Sequence, residues 1–171
     1  MAEKYIELLL RRVLAGKPLK LREALGLISI CDDDLFLLLD AASRIRRHFR
    51  GDKVDLCSLV NAKSGGCRED CRFCAQSSFS RTKIKEYGLL KLKEILQAAK
   101  AAADSGAHRF CIVTSGRRIG HAEEFALILE AISEIKKRYP GLRRDASLGE
   151  LNAKMAAGLK RAGLERYNHN L

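Results

Sequence analysis

Along the first 50 positions, apolar residues recur every three or four places. Ile6, Leu9, Leu10 and Val13 form one stripe that stops near Gly16, the period of an amphipathic helix. LKLREALGLI predicts a second, short helix. DDDLFLLLDAASRIRRHF predicts a third, with acids at its start and bases at its end, as the helix dipole favours. Cys31, just before that third helix, is expected to be a small buried residue. From Gly51–Asp52 the pattern changes. Val54–Val60 (VDLCSLV) is a short apolar run that predicts a buried strand, and residues 61–82 predict a long loop. Leu90–Asp104 predicts a helix with Ile95, Ala98, Ala99 and Ala102 on one face. Arg109–Thr114 (RFCIVT) predicts a strand, Ser115–Gly120 a loop, and Ala122–Tyr139 a helix ended by Pro140–Gly141. Asp145–Leu148 predicts a short strand, Asn152–Arg161 a helix stopped by Gly163, and Glu165–Asn170 the start of another strand.

Strand and helix thus alternate from residue 51 onward, which implies an α/β fold with a parallel sheet and crossover helices. Four such strands fit a doubly wound sheet or the first half of a TIM-type (β/α) barrel. The chemically interesting residues all fall at or just after strand C-termini, which favours the barrel. A barrel of that type takes about 250 residues. The expectation is therefore an all-helical segment over 1–50 and the first half of a barrel, truncated, over 51–171. A half barrel alone is expected to be inactive, because it lacks the wall that would enclose a substrate.

The composition, 47% hydrophobic and 31% charged, is that of a globular chain. No long uncharged apolar run suits a signal peptide or a membrane span, so a cytoplasmic protein with no membrane partner is expected. The net charge of +11 raises nucleic acid as a partner. Lys and Arg, however, are spread beside Glu and Asp within helical patterns, and aromatics are only 6%. No stacking platform interleaves with the bases, so no nucleic-acid partner is expected. Six cysteines in such a chain point to metal or redox chemistry before disulfides.

Three of them lie together in SGGCREDCRFCAQSS. Cys67, Cys71 and Cys74 are spaced C-x3-C-x2-C, with no histidine nearby in sequence. Thiolates select iron–sulfur clusters, zinc or copper(I). A structural zinc site takes four ligands, usually in pairs. Three thiolates on one Gly-rich loop can instead hold three irons of a [4Fe–4S] cluster, leaving the fourth iron open to an exogenous ligand.

This loop resembles the signature of the radical S-adenosylmethionine superfamily. NAKSGGCREDCRFCAQSS, SGAHRFCIVTSGR, ASLGEL and AGLERYNHNL, in that order, closely resemble the biotin synthase family over essentially all 171 residues. The resemblance implies that S-adenosylmethionine binds the open iron and is reductively cleaved to a 5′-deoxyadenosyl radical. It implies dethiobiotin as substrate, hydrogen abstraction, and sulfur insertion to give biotin, a sulfurtransferase activity. It also implies an auxiliary cluster of [2Fe–2S] type or a variant, a flavodoxin- or ferredoxin-type electron donor, and a homodimer. By the same resemblance, Phe73, Thr114, Ser115, Gly116 and Asn170 would contact S-adenosylmethionine. Asn168 and Asn170 would contact substrate, and Cys111 would ligate the auxiliary cluster. His169, between the two amides, is expected on the opposite face of its strand as a structural residue. One departure is Asp145, which stands where many of the family carry a second auxiliary-cluster cysteine. Cys57, on the first strand, is a candidate replacement thiolate; its alternative is a small core residue. Other superfamily enzymes with a related barrel (a maturase or mutase) and a zinc-dependent, basic nucleic-acid-binding protein are the competing readings.

Overall fold

The computed structural model describes residues 2–169. The chain divides into two compact units, Met1–Val54 and Asp55–Leu171. The first is helical: α1 (Ala2–Leu14), α2 (Leu21–Ile28), a 3-10 turn at Asp32–Asp34, and α3 (Leu35–Arg50). Ile6 and Leu10 of α1 meet Ala41 of α3 in a small core, the stripe seen in the sequence. Cys31 corrects its expectation. It is exposed, and its thiol donates to Asp34 Oδ2 at 3.3 Å at the start of the 3-10 turn.

The second unit is a four-stranded, all-parallel sheet in the order β1 (Cys57–Lys63), β2 (Arg109–Thr114), β3 (Arg143–Ser147), β4 (Arg166–Tyr167). The crossovers are α4 (Leu92–Asp104), α5 (Ala122–Arg138) and α6 (Ala153–Ala162). Strand parity divides the sheet cleanly. Val60, Ala62, Phe110, Ile112, Ala146, Leu148 and Tyr167 pack with Ile95, Ala99, Ile128, Ile132, Ile135 and Leu159 of the three helices in one core. The alternate positions, among them Leu59, Cys111 and Asp145, lie on the other face, where Leu59 is 62% exposed. A doubly wound sheet reverses its strand order and places helices on both faces. Here the order never reverses and one core takes in all three helices, so the arrangement is part of a TIM-type barrel.

Local chemistry explains the element ends. Glu94 accepts from the Lys91 N–H at 2.9 Å at the start of α4. Asn152 accepts from Met155 N at 2.9 Å at the start of α6, and Gly163, with φ 101°, closes it. The strands shift from their predicted spans. β1 starts three residues later than Val54 and runs to Lys63, because it pairs with β2 from Cys57↔Arg109 onward; Val54 and Leu56 are exposed. A bulge between Asn61 and Lys63 turns the Ala62 carbonyl to Leu90 N at 2.8 Å. β3 begins at Arg143, two residues early, and β4 is confined to Arg166–Tyr167.

Candidate functional site

The cysteine loop leaves β1 at Ser64 and is fastened to it at its base. Gln76 Oε1 accepts from Gly65 N at 2.6 Å and from Ser64 Oγ at 3.2 Å. Cys67 N donates to the Gln76 carbonyl at 3.1 Å, and Ser78 N donates back to the Cys67 carbonyl at 2.8 Å. Cys74 N donates to the Cys71 carbonyl at 2.9 Å, closing the turn between the last two thiols. Ser115, at the end of β2, pins the loop from the other side: its hydroxyl donates to the Gly65 carbonyl at 2.7 Å. Gly65 sits at φ 83°, where a Cβ would fall 2.4 Å from Glu86 Cγ.

A cleft of about 230 Å³ opens at the C-terminal end of the sheet. Cys67, Cys71 and Cys74 line it together with Thr114, Ser115 and Gly116. Thr114 Oγ1 is buried in that wall with no hydrogen-bond partner among the described residues, an arrangement that calls for a bound polar group. The cleft also takes in Glu69, Gln76, Arg117, Gly149, Glu150 and His169, which the sequence did not single out as site residues. Gln76 could have been found from its place in CAQSS, two residues after the last thiol. Glu69 lies within the cysteine motif itself, Arg117 directly after Gly116 and His169 between the two Asn of YNHN; only Gly149 and Glu150 come from a loop in which the sequence marked no site residue.

The loops after β2 and β3 are clasped together. Glu150 N donates to the Arg117 carbonyl at 2.7 Å, and the Arg117 guanidinium pairs with the Glu150 carboxylate at 3.0 Å and lies 4.0 Å from Glu69. Gly149 is required at this contact. Its φ is 78°, and a Cβ would lie 2.1 Å from the Arg117 carbonyl oxygen. The Tyr167 hydroxyl reinforces the clasp by donating to the Gly149 carbonyl and accepting from Leu148 N at 3.1 Å.

Cys111 lies outside the cleft, on the helix-free face of the sheet. It precedes Thr114 by three residues, about 10 Å along an extended strand. Its thiol accepts from Asn168 Nδ2 at 3.7 Å. Burial pushes that thiol up to about 11, against the smaller opposing effect of the Asn168 bond. Cys57 lies on the same face, opposite Arg109 in the ladder, and is exposed. Asp145, opposite Cys111 on β3, is 2% exposed. Both its oxygens are taken by Arg109, one from Nε at 2.7 Å and one from Nη2. The guanidinium is held firmly charged by that carboxylate. The β3 position therefore offers an engaged carboxylate where a [2Fe–2S] site would take a thiolate, and it does not fit that type of cluster.

Two further placements differ from expectation. Phe73 is 79% exposed and is not in the cleft wall. His169 lines the cleft, because β4 ends at Tyr167 and strand alternation does not extend to it. Asn170 lies outside the described residues. Among the described residues no three His, Cys, Asp or Glu side chains are gathered for a single metal ion. Three thiols around one cleft suit a polynuclear cluster, in which each iron takes one thiolate.

Comparisons with known proteins agree with this layout. Residues 62–171 match the Radical SAM superfamily. The chain is 45% identical to a biotin synthase of Sulfurihydrogenibium sp. over 163 residues, 95% of this chain and 48% of that protein. It is 44% identical to a biotin synthase of Clostridioides difficile over 172 residues, 99% of this chain and 52% of that protein. The chain thus spans about half the length of the curated relatives it matches. Among solved structures it is similar to HydG, a maturase of the FeFe-hydrogenase, with TM-score 0.77 and 17% identity over 98% of this chain and 37% of that one. A second HydG, from Carboxydothermus hydrogenoformans, gives TM-score 0.71 and 19% identity over 97% of this chain and 38% of that one. At such identities the likeness is one of fold.

Proposed function

The chain belongs to the radical S-adenosylmethionine superfamily, and we propose that it takes part in the biotin synthase reaction, the conversion of dethiobiotin to biotin by sulfur insertion. The observation that carries this reading is the convergence of Cys67, Cys71 and Cys74 with Thr114–Gly116 on one cleft at the C-terminal end of a parallel sheet. The three thiolates would hold a [4Fe–4S] cluster, and the Thr114 hydroxyl, unpaired among the described residues, would meet a polar group of S-adenosylmethionine. When bound, the cluster supplies the electron that cleaves S-adenosylmethionine reductively. The chain's own contribution is positional. Gln76 and Ser115 fix the loop, and the Arg117–Glu150 clasp fixes the loops beyond β2 and β3. Asn168, beside Cys111, offers an amide donor and acceptor suited to a ureido ring. Asn170 is a further proposed contact of S-adenosylmethionine; Phe73, exposed outside the cleft wall, is not.

Cys111 and Cys57 are the proposed protein ligands of an auxiliary cluster other than the thiolate-closed [2Fe–2S] type. They share one face of β1 and β2, and Asp145 is engaged elsewhere. A flavodoxin- or ferredoxin-type protein is the proposed electron source. Anaerobic reconstitution with iron and sulfide, followed by iron counting, visible absorption and detection of 5′-deoxyadenosine and biotin, tests the reading. Cys71→Ser should lose the cube's share of iron, and Cys57→Ala a further, separate share. A protein that takes up zinc and no iron cluster overturns it.

A further inference from the structure

Gln76 follows the last thiol of the loop by two residues and lines the cleft with Cys67, Cys71 and Cys74. Its side-chain amide has two ends of opposite character, an acceptor oxygen and an NH2 donor. The oxygen is engaged twice: it accepts from Gly65 N at 2.6 Å and from Ser64 Oγ at 3.2 Å. The amide cannot turn over without setting its NH2 group against the Gly65 N–H and stranding that donor. The nitrogen, Nε2, is not a buried atom and has no hydrogen-bond partner among the described residues. We propose that Gln76 Nε2 donates a hydrogen bond to a sulfur of the [4Fe–4S] cluster held by the three thiolates, and that this bond raises the cluster's reduction potential.

The neighbouring donors are engaged elsewhere. Cys67 N donates to the Gln76 carbonyl at 3.1 Å, Cys74 N to the Cys71 carbonyl at 2.9 Å and Ser77 N to the Cys74 carbonyl at 3.3 Å. Those N–H groups hold the loop together and are closed to a sulfur. The Ser115 hydroxyl donates to the Gly65 carbonyl, and the Arg117 guanidinium pairs with Glu150. Asn61 also lines the cleft, but no hydrogen bond among the described residues orients its side-chain amide. Gln76 combines an orientation fixed from the loop base with a donor left over on the cleft side.

The chemistry of the donor suits the task. Reduction adds one negative charge to a cluster, and hydrogen bonds to its sulfurs are among the levers that set its potential. A neutral N–H donor favours the reduced form without adding a charge. Because the same amide holds Gly65, the donor moves with the loop that carries the thiols, as an outer partner of a metal ligand must if it is to tune the metal.

This inference rests on the cluster reading above, and its test separates the two. The chain is made by cell-free synthesis with glutamine carrying nitrogen-15 in its side-chain amide, reconstituted anaerobically with iron and sulfide, and reduced with dithionite. The other glutamine of the sequence is Gln97, exposed on α4. Pulsed electron paramagnetic resonance of the reduced cluster should show a nitrogen-15 coupling in the wild type and in Gln97→Lys, and none in Gln76→Glu. That variant keeps an acceptor oxygen for Gly65 and Ser64 and deletes only the donor, so its iron content should stay at the wild-type level. In a redox titration, the equilibrium constant for one-electron reduction should fall about tenfold, or about 59 mV, in Gln76→Glu and also in the neutral Gln76→Met. A fall in Gln76→Glu with none in Gln76→Met is an effect of charge and overturns the proposal. So does a wild-type cluster with no nitrogen-15 coupling, or a coupling seen only after S-adenosylmethionine is added, which assigns the donor to that ligand. A wild-type chain that takes up no iron cluster defeats the cluster reading itself, and the proposal with it.

Discussion

Asp145→Asn removes one charge from a buried pair and leaves the other in place. The Asp145 side chain is 2% exposed and that of Arg109 10%, and the two are joined by a two-point contact. Losing one partner of such a pair leaves an uncompensated guanidinium in a dry setting, at a cost of about 3–5 kcal/mol. For a chain of this size each kcal/mol lowers Tm by about 2–4 °C, so the variant should melt roughly 6–20 °C lower. Urea and thermal unfolding of the cluster-free chain, followed by circular dichroism, measure this without any contribution from iron. Replacing both partners together, Arg109→Met with Asp145→Leu, should recover most of the loss, because a paired charge and an apolar pair of similar volume differ little. Asp145→Cys should also lose stability, since one sulfur cannot replace the two-point contact that the carboxylate gives Arg109. A loss below about 1 kcal/mol in Asp145→Asn would refute the reasoning. An iron loss without a stability loss would show that the carboxylate serves as a ligand.

Three further outcomes follow from the same geometry. Gly149→Ala should cost more than about 1 kcal/mol, because its positive φ and the Arg117 carbonyl leave no place for a Cβ; calorimetric titration should also show weaker S-adenosylmethionine binding to the reconstituted protein. Tyr167→Phe should cost about 1–3 kcal/mol by stranding the Leu148 N–H, read by urea unfolding. Burial raises the Tyr167 phenol above its ordinary value of 10.0. Its share of stability is therefore complete below pH 10 and is lost as pH rises through the raised value, so the wild type should lose stability in alkali more steeply than Tyr167→Phe.

The helices were legible in the sequence because their stripes and caps are local: Asn152 and Gly163 mark α6 whatever surrounds it. The strands were legible in kind and less so in extent. VDLCSLV has the apolar content of a strand, yet its first three residues stay out of the sheet, because register with β2 decides where pairing begins. The spacing of the cysteine motif showed that thiolates gather on one loop, and its resemblance to the radical S-adenosylmethionine signature supplied the chemistry expected of them. His169 was misplaced because alternation was carried past the end of a two-residue strand. The Arg109–Asp145 pair and the Arg117 clasp join residues more than 30 positions apart, and only the sheet register brings them together.

That register also explains why the substitution at Asp145 can be tolerated. Arg109 and Cys111 leave β2 on the same side, and Asp145 is directly opposite Cys111 on β3. A thiol at residue 145 would sit beside Cys111 but could not give Arg109 the two-point contact that the carboxylate makes. A carboxylate there neutralises the guanidinium and withdraws from the site of the thiol. On the auxiliary-cluster reading proposed above, a second thiolate would have to come from another strand of the same face, and within the described residues the other cysteine on that face is Cys57. Cys111, Cys57, Arg109 and Asp145 thus form one interdependent group. A Cys57→Ala with Asp145→Cys double variant should carry no more auxiliary iron than Cys57→Ala alone, because losing the two-point contact to Arg109 disorders the strand face that would present the new thiol. Recovery of wild-type iron content in that double variant would show that the two positions are interchangeable ligands and that the ion pair is incidental.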